Sequence, residues 1–202
     1  MGSHFGLFIA IWLKFTFLFT PFFALTMFLS LTKGYGAAER RRVALRVTGA
    51  VAVLCVVVFF FGNTVFKLFG ITLDSFRVGA GVLLFLSAIQ LVQSKPAAAD
   101  AGDPGDEDIA VVPLAMPIVI GPAIIGTLLV LGADLDDPLG KGIGIAALML
   151  ATATLGSILL LGTYIEHAVG KRNLKILSKV TGLVLAALAA QMIMAGIRNF
   201  FA

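Results

Sequence analysis

Six long apolar runs constrain the fold of this chain more than any other feature. A helix needs about 20 apolar residues to cross a bilayer, and no run alternates apolar and polar residues as a membrane β-strand does. The chain of 202 residues is 59% hydrophobic and only 13% charged, whereas a soluble domain is about half apolar and a quarter charged. The sequence therefore predicts an all-α integral membrane protein with six transmembrane helices. The runs cover roughly residues 5–31, 46–69, 76–94, 109–132, 142–165 and 176–198.

The fourth apolar run contains more helix-breaking residues than a lipid-facing helix tolerates. Each proline removes a backbone donor and clashes with the preceding turn, and an unpaired backbone group in hydrocarbon costs several kcal/mol. We therefore expect this span to be broken or re-entrant, and to face protein or a water-filled cavity. The interrupting residues are Pro113, Pro117, Gly121, Pro122 and Gly126.

The two halves of the chain resemble each other at a fixed spacing. Pro122 lies 101 residues after Pro21, and three further pairs of residues share that spacing. Because each half holds three predicted spans, the second half would enter the membrane from the opposite side. The sequence thus predicts two inverted three-helix repeats with Pro/Gly-interrupted first and fourth spans, an architecture common among secondary transporters. The further pairs are Thr26 and Thr127, Gly81 and Gly182, and Gln90 and Gln191.

An acidic segment rich in Ala, Pro and Gly separates these halves at residues 95–108. Such a composition is typical of a mobile linker. We therefore divide the chain into a first three-helix repeat at residues 1–94, a cytoplasmic linker at 95–108 and a second three-helix repeat at 109–202.

Basic residues are distributed unevenly between the two ends of the predicted spans. Ten lie at one end and four at the other, and basic residues are retained on the cytoplasmic side of a membrane. We therefore expect a multi-pass protein of the cytoplasmic (inner) membrane with both termini outside. The ten are Lys33, Arg40, Arg41, Arg42, Arg46, Lys95, Lys171, Arg172, Lys175 and Lys179, and the four are Lys67, Arg77, Lys141 and Arg198.

Several segments together make the chain resemble the MarC family of inner-membrane proteins. The resemblance implies a six-span protein that transports small neutral amino acids and is related to LysE-type exporters. Where the family usually has Asn-Pro in the first span, this chain has Thr20-Pro21, and Gln90 stands where the family often has Asp. The resembling segments are residues 28–34 (FLSLTKG), 39–46 (ERRRVALR), 69–79 (FGITLDSFRVG), 112–117 (VPLAMP) and 121–122 (GP).

The two interrupted spans are the predicted substrate site. A broken helix frees backbone groups: half-helix N-termini attract a carboxylate, and freed carbonyl groups attract an ammonium group or a cation. The alternatives are structural. The prolines can simply kink their helices, the threonines can bond their own backbone, and the glutamines can join neighbouring helices. The candidate substrate-binding residues are Thr20, Pro21, Thr26, Gln90, Gly121, Pro122, Thr127 and Gln191.

Other residues are expected to have structural roles. Gly182, Ala186 and Ala190 follow one another at four-residue spacing, which favours close helix packing. Lys14 is the one charge well inside a span, and its long side chain can extend to the outer interface. Asp74 and Arg77 lie at a span end and are interpreted as capping or interfacial charges.

No catalytic set, metal-ligand cluster, phosphate loop or carboxylate deep in a span is visible in the sequence. We therefore expect no enzymatic activity, metal, cofactor or nucleic-acid partner. The predicted function is transport of a small neutral solute, an amino acid by resemblance, through alternating access, either passive or coupled to sodium. The alternative is a membrane scaffold or accessory protein. The expected partners are the solute and the lipid bilayer, and a homo-oligomer is compatible with the pattern.

Overall fold

A computed structural model describes residues 2–93, 119–135 and 137–201 of the chain. All regular elements in these three stretches are helices, as the hydropathy pattern predicts. They are α1 (Gly2–Leu18), α2 (Pro21–Leu31), α3 (Ala37–Phe69), α4 (Leu73–Gln93), α5 (Pro122–Asp134), α6 (Pro138–Leu160), α7 (Gly162–Val169) and α8 (Lys171–Phe200).

Four of these helices, α3, α4, α6 and α8, are long and apolar enough to cross a membrane. A fifth candidate span is the pair α1 and α2, whose axes bend by 41° at the break between them. The predicted interruption of the first apolar run at Thr20-Pro21 is therefore confirmed. The fourth predicted span lies partly outside the described residues, and α5 is its described portion. The described residues thus contain four or five candidate spans, and the six-span arrangement stays a prediction.

Two helix boundaries differ from the apolar runs. Helix α3 begins at Ala37, nine residues before the second run, so Arg40 and Arg46 are helical. An apolar run marks only the part of a helix that suits hydrocarbon, and the helix itself continues into the polar interface. The fifth run forms two helices, because α6 ends at Leu160 and α7 begins at Gly162.

Helices α4 and α8 pack tightly against each other through small residues. A Cβ atom at Gly81 would lie 2.6 Å from Ile193 Cγ1 and 3.2 Å from the Ala189 carbonyl oxygen. A Cβ atom at Gly182 would lie 2.9 Å from Val92 Cγ2 and 3.1 Å from the carbonyl oxygen of Ala88. The packing role predicted for Gly182 is therefore confirmed, since only glycine permits this approach.

The core surrounds the first two helices. Phe15, Phe19 and Phe28 are fully buried there, together with Phe59 of α3. Neighbouring helices are also joined by polar contacts within this apolar core. Trp12 Nε1 of α1, for example, donates to Thr154 Oγ1 of α6 at 3.2 Å. The break between α1 and α2 is thus embedded in protein.

Candidate functional site

Thr20 forms the break between α1 and α2 by adopting a left-handed conformation, with φ 46° and ψ 57°. The following Pro21 disfavours the right-handed helical conformation at Thr20 and has no N–H to donate. The Thr20 amide donates to the Phe17 carbonyl oxygen, and its own carbonyl accepts from the Ala24 amide, both at 2.9 Å. Of the non-glycine residues described, Thr20 alone has a positive φ. Such a conformation costs about 1–3 kcal/mol and is often found at functional sites.

A matching helix start occurs in the second half of the chain. Helix α5 begins at Pro122, and Gly121 is its N-cap with φ −85° and ψ 173°. The Gly121 carbonyl oxygen accepts from the Ile124 and Ile125 amides at 3.0 and 3.1 Å. No described side chain caps the N-terminus of either α2 or α5. Helix N-termini carry partial positive charge, which attracts anionic groups.

The matched threonines bond their own helices. Thr26 Oγ1 donates to the Phe22 carbonyl oxygen at 2.8 Å, and Thr127 Oγ1 donates to the Ala123 carbonyl oxygen at 2.9 Å. Both hydroxyl groups therefore donate to the backbone of their own helix, which is the structural role considered above as the alternative to solute binding. Each hydroxyl oxygen can still accept a hydrogen bond from a solute.

The other predicted residues differ in their surroundings. Pro21 is buried and Thr20 is half-buried at the break, whereas the side chain of Pro122 lies outside the described part of the chain. Gln90 and Gln191 are exposed on α4 and α8. Thr20 and Pro21, which are neighbours in the sequence, therefore lie at the break, whereas both glutamines lie on the outer surface of the described helices.

Thr16 is a candidate solute-binding residue that was not predicted from the sequence. Its Oγ1 atom is buried and has no hydrogen-bond partner among the described residues. A buried hydroxyl without a partner costs about 1–3 kcal/mol, so this group is available to a solute at the break. Thr16 lies in the last turn of α1, which ends at Leu18, and is four residues before Thr20 in the chain. Its position close to the Thr20-Pro21 pair was the available signal in the sequence.

A polar cluster joins α4, α5 and α8 at one end of the spans. Arg77 pairs with Asp74 at 2.7 Å and also with Asp134, and Asn199 Nδ2 donates to Asp74 Oδ1 at 3.4 Å. Lys14 of α1 is half-buried. The sequence contains no signal for Asp134, because its partner Arg77 is 57 residues away.

Arg40 makes a second set of contacts at the opposite end of α3 from the polar cluster. Its Nη2 donates to the Thr32 carbonyl oxygen at 3.1 Å, and its Nη1 donates to Thr163 Oγ1 at 2.8 Å. Arg40 therefore binds the carbonyl end of α2 and connects it to α7, as a cation at a helix C-terminus does.

The sequence is similar to one known protein family over nearly its whole length. The model of MarC family integral membrane proteins matches residues 5–201. The chain belongs to the MarC family. It is therefore a multi-pass integral membrane protein, as the hydropathy pattern predicted.

Relatives in this family come from distant organisms. A UPF0056 membrane protein of Aquifex aeolicus is 31% identical over 98% of this chain and 95% of its own length. The UPF0056 membrane protein MJ1677 of Methanocaldococcus jannaschii is 33% identical over 89% of this chain and 90% of its own. The UPF0056 inner membrane protein YhgN of Escherichia coli is 30% identical over 88% and 89%. No solved structure matches the chain.

The polar groups at the break between α1 and α2 are hydroxyl and backbone groups. Thr16 and Thr20 offer hydroxyl groups near the break between α1 and α2, and α5 offers amides at its own helix start. Within residues 2–93, 119–135 and 137–201, no group of three His, Cys, Asp or Glu side chains could hold a metal ion.

Proposed function

We propose that this protein transports a small neutral solute, with a zwitterionic amino acid as the solute class, across the cytoplasmic membrane. The main support for this proposal is a pair of half-helices that begin at Pro21 and Pro122. Among the described residues, no side chain caps the N-terminus of either one. Their N-termini suit the carboxylate of an amino acid, and the carbonyl groups at the end of α1 suit its ammonium group.

We further propose two inverted three-helix halves related by the spacing of 101 residues. Helix α5 starts 101 residues after α2, and α6 at Pro138 starts 101 residues after α3 at Ala37. The contact of Gly81 with Ala189 has its counterpart, at the same spacing, in the contact of Gly182 with Ala88. Such duplicated contacts are expected when a pseudo-two-fold axis passes between α4 and α8, which supports the inverted arrangement.

Alternating access requires one end of the solute path to close while the other opens. The polar cluster at Arg77 connects α4 of the first half with α5 and α8 of the second half. It would hold the halves together at its end of the spans, and its ion pairs would break when that end opens. With the positive-inside rule, this end is the outer one, and both termini lie outside.

We propose that no proton is carried by an embedded acid. The described groups at the break are hydroxyl and backbone groups, which do not titrate in a physiological range, and Gln90 cannot change its charge. Transport would then be passive along the solute gradient or coupled to sodium, whose hard-cation chemistry suits freed carbonyl oxygens.

Uptake into proteoliposomes tests the proposal. Labelled alanine, serine and glycine should enter, whereas glutamate and arginine should not. Thr16→Val and Thr20→Val should each reduce uptake at least about fivefold, since a lost hydrogen bond costs about 1 kcal/mol or more. The matched control is Thr48→Val, because the Thr48 hydroxyl already donates to the Ala44 carbonyl oxygen at 2.8 Å. Equal uptake by all three variants would contradict the assigned site.

A second candidate function is a membrane scaffold or accessory protein. Its support is that Thr26 and Thr127 bond their own helices and that Gln90 and Gln191 are exposed. In that case the Pro/Gly segments only shape packing, and no solute in a broad neutral panel would be transported. Co-purification of a stoichiometric membrane partner, together with absent uptake, would favour this function.

A further inference from the structure

Three exposed arginines form a basic patch on the first turns of α3. Arg41, Arg42 and Arg46 line a shallow, open cavity of about 430 Å³ together with Ala38 and Leu45. These positions share one face of the helix, because the other four follow Ala38 by three, four, seven and eight residues. Arg40 points elsewhere, to Thr32 and Thr163.

The basic patch lies where a phospholipid head group would be. Helix α3 has 33 residues, so it is about 50 Å long, whereas the hydrocarbon core of a bilayer is about 30 Å thick. The apolar candidate span begins at Ala37, so these arginines lie on its first turns. Guanidinium groups bind phosphate through paired hydrogen bonds and stay charged at all physiological pH values.

An apolar notch continues directly below the basic patch. Gly49 is exposed, and a Cβ atom there would find no atom within 4 Å. Leu45 above it and Val53 below it are 52% and 63% exposed, each four residues from Gly49. The three residues therefore form a lipid-facing stripe in which the missing side chain leaves room for an acyl chain.

We propose that the basic patch and this notch bind one anionic phospholipid. Its phosphate would contact Arg41, Arg42 and Arg46, and an acyl chain would lie along Leu45, Gly49 and Val53. A zwitterionic lipid fits less well, since its head group adds a cation beside three guanidinium groups. Clusters of basic residues beside a span favour anionic lipids. This inference does not depend on the proposed transport.

Native mass spectrometry of the purified full-length protein tests the lipid site. Phosphatidylglycerol should bind more tightly than phosphatidylcholine with the same acyl chains. The triple variant Arg41→Gln, Arg42→Gln, Arg46→Gln should weaken phosphatidylglycerol binding by about tenfold or more. The matched control removes three charges at the same end of the spans. It is Arg172→Gln, Lys175→Gln, Lys179→Gln on α8. Its effect should stay within about twofold, because these side chains do not line the basic patch.

A second variant separates a lipid from free phosphate. Gly49→Leu fills the notch without touching a neighbour, so the fold should persist and phosphatidylglycerol binding should weaken. Inorganic phosphate should not displace the lipid from the unsubstituted protein. The proposal is overturned if the two triple variants lose equal affinity, if Gly49→Leu binds as the unsubstituted protein does, or if inorganic phosphate displaces the lipid.

Discussion

Replacement of Gly81 or Gly182 by alanine should loosen the contact between α4 and α8. A Cβ atom at Gly81 would meet Ile193 Cγ1 at 2.6 Å, and the Ile193 amide nitrogen and the Ala189 carbonyl oxygen at 3.2 Å. The isoleucine side chain can rotate, but the two backbone atoms move only if the helices separate. Overpacking of this kind costs about 1–3 kcal/mol.

Alanine has a higher helix propensity than glycine, and this gain in stability partly offsets the cost of the clash. Glycine within a helix is about 1 kcal/mol less favourable than alanine. Gly81→Ala and Gly182→Ala should therefore change the free energy of unfolding by between about 0 and −2 kcal/mol. Gly79 is the matched control on α4, because a Cβ atom there would meet nothing within 4 Å. Gly79→Ala should therefore stabilise the protein by about 1 kcal/mol.

Reversible unfolding in mixed micelles, followed by far-UV circular dichroism, measures these differences. Gly81→Ala should be less stable than Gly79→Ala by about 1–3 kcal/mol. Gly182→Ala should match Gly81→Ala, because the two glycines make equivalent contacts. If Gly81→Ala and Gly79→Ala are equally stable, the close packing of α4 on α8 is refuted.

Three further predictions concern the break, the polar cluster and the orientation. Thr20→Gly should keep or raise the melting temperature, because removal of left-handed strain of about 1–2 kcal/mol offsets the added unfolded-state entropy; a fall of several degrees would contradict the strained conformation. Arg77→Gln leaves Asp74 and Asp134 without their shared cation and should lower the free energy of unfolding by about 1–2 kcal/mol. The control Arg198→Gln removes an exposed charge and should not lower it. An equal loss of stability in both variants would argue against the polar cluster. A reporter fused after Ala202 should be active outside the cytoplasm, and cytoplasmic activity would reverse the orientation.

The sequence predicted the features that depend on local backbone chemistry. The break at Thr20 follows from the missing N–H of Pro21, and the start of α5 follows from Gly121 and Pro122. Close packing at Gly182 follows from its small-residue spacing. These properties require only a residue and its near neighbours, so a single sequence is sufficient to find them.

Features that depend on tertiary contacts could not be predicted. The helices are apolar on all sides, so no amphipathic face indicated that Gln90 and Gln191 would be exposed. The pairing of Arg77 with Asp134 and the buried hydroxyl of Thr16 depend on how distant segments pack. The start of α3 at Ala37 was not predicted. An apolar run shows which residues suit the hydrocarbon core of the bilayer, but it does not show where the helix begins.

Counterflow in proteoliposomes reports directly on alternating access. Vesicles loaded with an unlabelled small neutral amino acid, and given a trace of the labelled form outside, should accumulate label transiently without a pH gradient. Only a carrier that exposes one site alternately to both sides produces such accumulation. Thr20→Val should reduce it, and Thr48→Val should not. Absence of counterflow across a panel of small neutral solutes, with correctly folded and inserted protein, would contradict the account.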